Sequence, residues 1–347
     1  MSPLCLLSFF YQGVVALRLK FYEWGIFSVR SLPCKVISVG NLTLGGTGKT
    51  PFVALLAEWL KARGIPPAIL SRGYGGTFRG PFDVVTDGEK LLMDAQQAGD
   101  EPFLLAKQMK GIPVIVGKNR FQSGRWAIER FPSEVLILDD GYQHLSLHRD
   151  VNLLLLNDSS PFGNGYLLPR GILREPISQI KRADAIVLTK SGLSDNINKI
   201  KELLEERKLK IPIFRAAYEP CGVKRLGEGN IWPPKFLEGK KVLAFAGLAD
   251  PQSFKDLIRQ MGVQVLSMEV FADHHRYTPN DWSRLHGKAK AIQAEGLVTT
   301  EKDEVKIESL GCGSLPLWIV SIRHIFLGED QRRFEMFLLS RLGRGHE

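Results

Sequence analysis

Short, almost wholly apolar runs alternate along the first two thirds of the chain with segments whose apolar residues recur at helical spacing. The runs are Val36–Val39, Ala68–Leu70, Val114–Val116, Val135–Leu138, Val151–Leu156, Ala185–Leu188 and Ile213–Ala216. Runs this short, with no polar face, suit strands of a parallel sheet covered on both sides. The spacing predicts helices between them over Phe52–Arg63, Glu101–Lys110, Arg120–Arg130 and Ser194–Arg207. Such alternation argues for a doubly wound α/β sheet. Cys221–Gly239 then carries several Gly and Pro residues and little periodicity. A shorter series follows: Val242–Ala246, Val263–Glu269, Leu297–Thr300 and Leu317–Ser321. A domain boundary is expected near 217–240, with a core over 31–216 and a smaller α/β domain over 217–347.

The pattern differs at the start of the chain. Leu4–Phe27 is rich in Leu, Phe, Val, Tyr and Trp, with Arg18, Lys20 and Glu23 in its distal half. Its apolar part ends at Leu17 and is broken by Ser8, Gln12 and Gly13. That is short for crossing about 30 Å of hydrocarbon. There is no small-residue cleavage site near its end, which argues against a removed signal peptide. Residues 1–30 are expected to form an aromatic-rich helix dipped into a membrane surface, or a short anchor. The plainer alternative is a helix packed on the protein core.

Composition narrows the class. A length of 347 residues suggests two domains, and 44% apolar with 24% charged residues is globular. The net charge of +9 favours an acidic partner: nucleic acid, an anionic membrane face or a phosphorylated substrate. The four cysteines, Cys5, Cys34, Cys221 and Cys312, are scattered with no CxxC pair. Neither a disulfide framework nor a zinc site is indicated, and a reducing compartment fits.

The chemistry concentrates in Val36–Pro51, VISVGNLTLGGTGKTP. A buried strand feeds a helix through a glycine-rich turn, which points several backbone N–H groups at one spot. The helix N-terminus adds partial positive charge, Lys49 adds a full one, and the Thr50 hydroxyl is a ligand for Mg²⁺. Thr43, Leu44, Gly45, Gly46, Thr47, Gly48, Lys49 and Thr50 form the expected polyphosphate cradle. Thr43 stands where the common pattern has glycine. Val135–Leu138 runs into Asp139-Asp140, and an acidic strand end beside such a cradle holds Mg²⁺ together with Thr50. Tyr142-Gln143-His144 follows, equally suited to structure or to the same site.

Other candidates sit at the same sheet edge, where strand carboxyl ends gather. Arg72, in Ser71-Arg72-Gly73-Tyr74, is a candidate phosphate clamp, with Tyr74 beside it as a substrate contact. Asp100 either caps the helix that follows Gly99 or acts as a general base toward an acceptor hydroxyl. Asn119 and Arg120, with Arg170 and Arg174, supply polar contacts and fixed positive charge near the substrate. His274 in Asp273-His274-His275 suits delivery across a domain cleft better than metal binding, because adjacent histidines share no helical face. Leu188–Gly192 has the Thr-Lys of a guanine-selecting signal but Gly192 in place of its aspartate, which favours ATP over GTP.

Taken together, SVGNLTLGGTGKTP, LSRGYGG, GDEP, VGKNR, LDDGYQH, LPRGILRE, DHH and TTEKD, in this order over nearly the whole chain, resemble the tetraacyldisaccharide 4'-kinases of lipid A biosynthesis. The resemblance implies a phosphate-loop kinase whose two α/β domains close over nucleotide. It implies transfer of the ATP γ-phosphate, with Mg²⁺, to the 4'-hydroxyl of an acylated glucosamine disaccharide 1-phosphate. The expected place is the cytoplasmic face of the bacterial inner membrane. Lys49 and Thr50 would engage phosphates and metal, Asp139 and Asp140 the metal, and Asp100 would be the base, with His274 orienting it or sharing its proton. Arg174, Asn119 and Arg120 would lie near the substrate or the transferring phosphate, and Thr300–Asp303 carries no assigned role. An anionic membrane surface is the expected partner, with no nucleic acid and no obligate protein partner. The rival readings are a membrane-associated nucleotide switch without an acceptor and a basic membrane-binding protein whose nucleotide site is structural.

Overall fold

The computed structural model describes residues 3–191, 196–311 and 313–344. Its strands are β1 (Lys35–Gly40), β2 (Pro67–Ser71), β3 (Phe82–Thr86), β4 (Val114–Gly117), β5 (Val135–Asp139), β6 (Val151–Asn157), β7 (Ala185–Thr189), β8 (Ile213–Arg225), β9 (Ile231–Trp232), β10 (Lys241–Ala246), β11 (Gln264–Val270), β12 (Gly296–Thr300) and β13 (Leu317–Phe326). Its helices are α1 (Pro3–Glu23), α2 (Lys49–Ala62), α3 (Ala95–Ala98), α4 (Asp100–Gln108), α5 (Arg120–Arg130), α6 (Asn196–Glu206), α7 (Pro251–Gln260), α8 (Pro279–Ala291), α9 (Glu301–Ile307) and α10 (Asp330–Arg341). The start of the helix expected from Ser194 lies outside the described residues.

The strands form one continuous sheet in the order β3-β4-β2-β5-β1-β6-β7-β8-β13-β12-β10-β11, with β9 against β8. The first lobe is parallel from β4 to the start of β8, and the second is parallel from β13 to β11. This is the mixed α/β, parallel-dominated architecture that the apolar runs predict. β3, which the pattern missed, is an antiparallel edge strand on β4.

The strand at the join is longer than its apolar run predicts. The run expected to stop at Ala216 continues to Arg225. Ile213–Arg215 pair parallel with Ile186–Leu188 of β7, and Ala216–Arg225 pair antiparallel with Trp318–Phe326 of β13. One strand therefore belongs to both halves, and an antiparallel ribbon carries the sheet from lobe to lobe.

Packing follows the sequence spacing. α2 buries Phe52, Val53, Leu56, Ala57 and Leu60, one stripe of a helix, in the core of the first lobe. The chain's last helix returns to that same core. α10 inserts Phe334 and Leu338, and the Phe334 ring lies 5.9 Å from Phe52, 5.3 Å from Phe214 and 4.7 Å from Phe326.

α1 has 21 residues and is about 30 Å long. It touches the protein along one stripe: Val15 and Leu19 pack on Leu145, Ser8 Oγ donates to the Leu167 carbonyl at 2.9 Å, and Tyr11 Oη to the Arg174 carbonyl at 3.0 Å. Leu4, Leu6, Leu7, Phe9, Phe10, Val14 and Leu17 remain exposed. α1 therefore packs on the protein along one stripe and leaves a second, apolar face uncovered. Among the described residues it is the one helix long and apolar enough to cross a membrane, and it is a candidate anchor.

If α10 is part of the first-lobe core, Phe334→Ala will lower unfolding free energy by about 3–5 kcal/mol in urea titrations. A loss below about 1 kcal/mol would mean that α10 packs without contributing to that core.

Candidate active site

The turn between β1 and α2 is pinned at its flanks and open at its centre. The Leu44 amide donates to the Ile172 carbonyl at 2.7 Å, Thr43 bridges Leu173, and the Thr47 carbonyl accepts from Thr189 Oγ1 at 2.9 Å. Gly45 (φ 104°) and Gly48 (φ 77°) take left-handed backbone that L side chains resist. Gly48 is the residue before α2 and caps it with no side chain, so the first-turn N–H groups stay free for an anion. Thr50 lies in that turn.

Charge converges on this opening. Lys49 Nζ lies 3.4 Å from Asn41 Oδ1 and 3.6 Å from Asp140 Oδ1. Arg174 Nη1 donates to both Asp140 oxygens, at 2.8 and 3.0 Å, and reaches Asn41 Oδ1 at 3.3 Å. Burial pushes the Asp140 carboxyl up, but Lys49 and Arg174 outweigh it and hold its pKa below the ordinary value. Asp139 takes the opposite course. Burial, then Glu101 and Asp140, raise it to about 7, against one hydrogen bond from Ser71 Oγ at 2.9 Å. Its other oxygen, Oδ1, is buried without a protein partner. Two carboxylates and the Thr50 hydroxyl are hard oxygen donors, and an unpaired carboxylate oxygen among them fits a hard divalent cation. No cluster of three or more His, Cys, Asp or Glu ligands exists among the described residues. A cation here would draw its remaining ligands from phosphate oxygens and water.

Asp100 is the first residue of α4, and Gly99 (φ 91°) is the cap. The helix-capping alternative therefore does not describe Asp100; the side-chain cap belongs to Asp94, which opens α3. Asp100 Oδ2 instead faces the second lobe, 3.3 Å from His274 Nδ1 and 3.9 Å from Lys306 Nζ. Burial raises the Asp100 pKa, but the His274 bond, Lys306 and Lys302 overcome it and leave the carboxyl below its usual range. His274 sits in left-handed backbone (φ 60°), and its ring lies 5.7 Å from Tyr74. His275 turns to Asp281 at 3.1 Å. Glu101, next to Asp100, is near enough to Asp139 to raise its pKa, so the pair and the acid cluster share one cleft.

The segment Thr299–Asp303 ties this cleft together. Lys302 Nζ bonds Glu101 of the first lobe and Asp273 of the second, each at 3.1 Å. Glu301 accepts from Gln108 at 3.0 Å and Ser321 at 2.8 Å. Asp303, fully buried, gathers the Gly247 amide, Tyr277 Oη, Thr300 Oγ1 and Lys306.

The remaining candidates separate. Arg72 and Tyr74 are exposed at the cleft edge. Asn119 caps α5 by accepting from the Gln122 amide at 3.2 Å. Arg120 is buried beneath the acid pair, donating to the carbonyls of Gly117 (3.2 Å) and Asp139 (3.4 Å). Burial brings its pKa down to about 10. It acts on the site from beneath, while Arg170 stacks on Tyr166. Burial, then Arg120, Arg149, Arg18 and Arg72, push His144 down to about 4, which reveals a cationic cluster. Thr189 holds the phosphate loop and Lys190 pairs with Asp250 at 2.5 Å; Gly192 lies outside the described residues. Asn41, Arg18 and Arg149 carry no role in the sequence-based expectations, and Lys302 stands only inside the unassigned TTEKD motif, as Asn41 stands inside the quoted loop.

A phosphate loop at the β1–α2 turn, an acidic strand end beside it and a second α/β lobe that lays a histidine against the first define a phosphate-loop kinase architecture. The comparisons with known proteins make this specific. Residues 1–343 match the tetraacyldisaccharide-1-P 4'-kinase (LpxK) family, and the chain belongs to that family. It is 41% identical to the tetraacyldisaccharide 4'-kinase of Syntrophus aciditrophicus, over 99% of this chain and 95% of that one. It is 43% identical to the enzyme of the same name from Pelobacter propionicus, over 89% of this chain and 84% of that one. The crystal structure of LpxK from Aquifex aeolicus in complex with ATP superposes with a TM-score of 0.75 at 32% identity, covering 97% of this chain and 98% of that one. The family resemblance drawn from the motifs is borne out.

The raised Asp139 pKa has a sign in stability. Between the ordinary 3.8 and about 7, the folded ligand-free protein holds a proton that the unfolded chain releases. This contribution is full below about pH 4 and is lost as pH rises through about 7. Asp139→Asn will flatten that decline in thermal melts of the ligand-free protein, and an unaltered slope would contradict the burial account.

Proposed function

We propose that this protein transfers the γ-phosphate of ATP to the 4'-hydroxyl of a tetraacylated glucosamine disaccharide 1-phosphate at a membrane surface. The observation that carries the reading is the Asp100–His274 contact, assembled from both lobes beside the phosphate cradle. A nucleotide switch has no acceptor hydroxyl and needs no such pair.

Phosphoryl transfer is mainly positioning and charge stabilisation. In this reading the amides of Gly45–Thr50, shaped by Thr43 and Leu44, hold the donor phosphates, and Lys49 leaves Asp140 to meet them. Arg174 offsets charge on the transferring group. Thr50, Asp139 and Asp140 would hold Mg²⁺, whose charge would offset that of the phosphates. Asp100 and His274 take the acceptor proton together. With Asp100 held ionised, a His274 Nδ1–H donated to it leaves Nε2 as the free lone pair, so the proton comes to rest on the imidazole. Arg72, Tyr74, Asn119 and Arg120 line or support the acceptor side, where the arginine cluster favours a phosphorylated glycolipid. The apolar face of α1 dips into the cytoplasmic leaflet, and the net charge of +9 favours its anionic surface.

The test is incubation with γ-labelled ATP and the disaccharide 1-phosphate in mixed micelles. Label will appear on the glycolipid, and Asp100→Ala will lower turnover about 10²–10⁴-fold while ATP still binds. Label released only as inorganic phosphate, or full turnover in Asp100→Ala, would favour the switch. Removing residues 1–27 will reduce recovery with anionic vesicles; equal sedimentation of the truncated protein would contradict the anchor.

A further inference from the structure

The ribbon that joins the lobes also grips the phosphate loop. His324 on β13 and Tyr218 on β8 are a cross-strand pair, their rings 4.6 Å apart. His324 is buried, and its Nε2 lies 3.0 Å from the Gly48 carbonyl oxygen. That oxygen already accepts the first bond of α2, from the Phe52 amide at 3.1 Å. A carbonyl only accepts, so Nε2 carries the proton. Nδ1 is buried without a partner, and burial pulls the imidazole down to about 4, so the ring is neutral and holds this single tautomer. The Phe52 ring, 5.7 Å away, closes the other side. The fit leaves no slack: a Cβ on Gly48 would stand 2.3 Å from Tyr218 Oη and 2.7 Å from His324 Nε2.

We propose that His324 is a positioning residue for nucleotide. Its Nε2–H holds the Gly48 carbonyl on the ribbon side, so that the amides at the start of α2 face the phosphates. Because the same ribbon carries the sheet between lobes, this bond is a direct link from the ribbon to the cradle. Ile172 and Thr189 hold the loop from the first lobe, and His324 holds it from a strand of the second.

This inference rests on reading Gly45–Thr50 as the nucleotide cradle. The experiment therefore measures binding of a fluorescent ATP analogue and steady-state kinetics for Lys49→Ala, His324→Phe and His324→Gln in the full chain. His324→Phe keeps the ring and loses the donor; His324→Gln restores a donor. The expected result is a KM for ATP and an analogue Kd raised about tenfold in His324→Phe and largely recovered in His324→Gln, with the KM for the lipid acceptor unchanged. A merely structural histidine would lower the melting temperature of both variants and leave nucleotide affinity of the folded fraction intact, which would overturn the proposal. If Lys49→Ala binds nucleotide normally, the cradle reading itself fails. If Lys49→Ala is defective and His324→Phe matches wild type, only this inference fails.

Discussion

The cleft depends on a carboxylate and an imidazole meeting across two lobes, Asp100 and His274 at 3.3 Å. Asp100 is placed by the start of α4 and His274 by a left-handed turn between β11 and α8, and neither element alone contains the site. The lobes hold that approach at two ends. At one, the β8–β13 ribbon makes the sheet continuous. At the other, α4 and α9 face each other through ion pairs and a hydrogen bond: Lys302 on Glu101, Gln108 donating to Glu301, and Lys107 on Glu304 and on Glu308 just past α9. Single partly exposed ion pairs contribute little to stability. Their value here is geometric, because several of them agree on one relative placement of the lobes.

The same cleft sorts two neighbouring carboxylates into different states. Asp140 faces Lys49 and Arg174 and stays ionised. Asp139, one residue earlier, is deeper and faces Glu101 and a single hydroxyl, so it is reluctant to ionise until positive charge arrives. A site built this way keeps one carboxylate paired with cations and leaves one oxygen of the other without a protein partner. It gains the most from a ligand that brings cation and phosphate together, which is the demand that a nucleotide triphosphate kinase places on it.

Much of this was legible in the chain because it is local. Apolar runs without a polar face mark buried parallel strands, and the strand, glycine turn, lysine, hydroxyl and helix of the phosphate loop lie within sixteen residues, Val36–Pro51. What escaped is what depends on distant partners. β8 passes into polar residues such as Glu219 and Lys224 once it pairs with β13, so its second half does not read as a core strand. α10 offers Phe334 and Leu338 with no hint that their core lies in the first lobe. Arg120 looks like any strand-end arginine until the fold buries it under Asp139. Lys302 meets Glu101 from 201 residues away, so the TTEKD segment read as a motif without a purpose. His324 gave no signal, since its partner is a backbone carbonyl.

The most direct measurement of the central claim is a double-mutant cycle on kcat between the lobes, comparing Asp100→Asn, His274→Ala and the double variant at saturating ATP. A shared proton-accepting unit predicts that the double variant is scarcely slower than the worse single variant. Losses that multiply, each residue acting as if the other were intact, would mean that the two lobes do not meet in one reaction step.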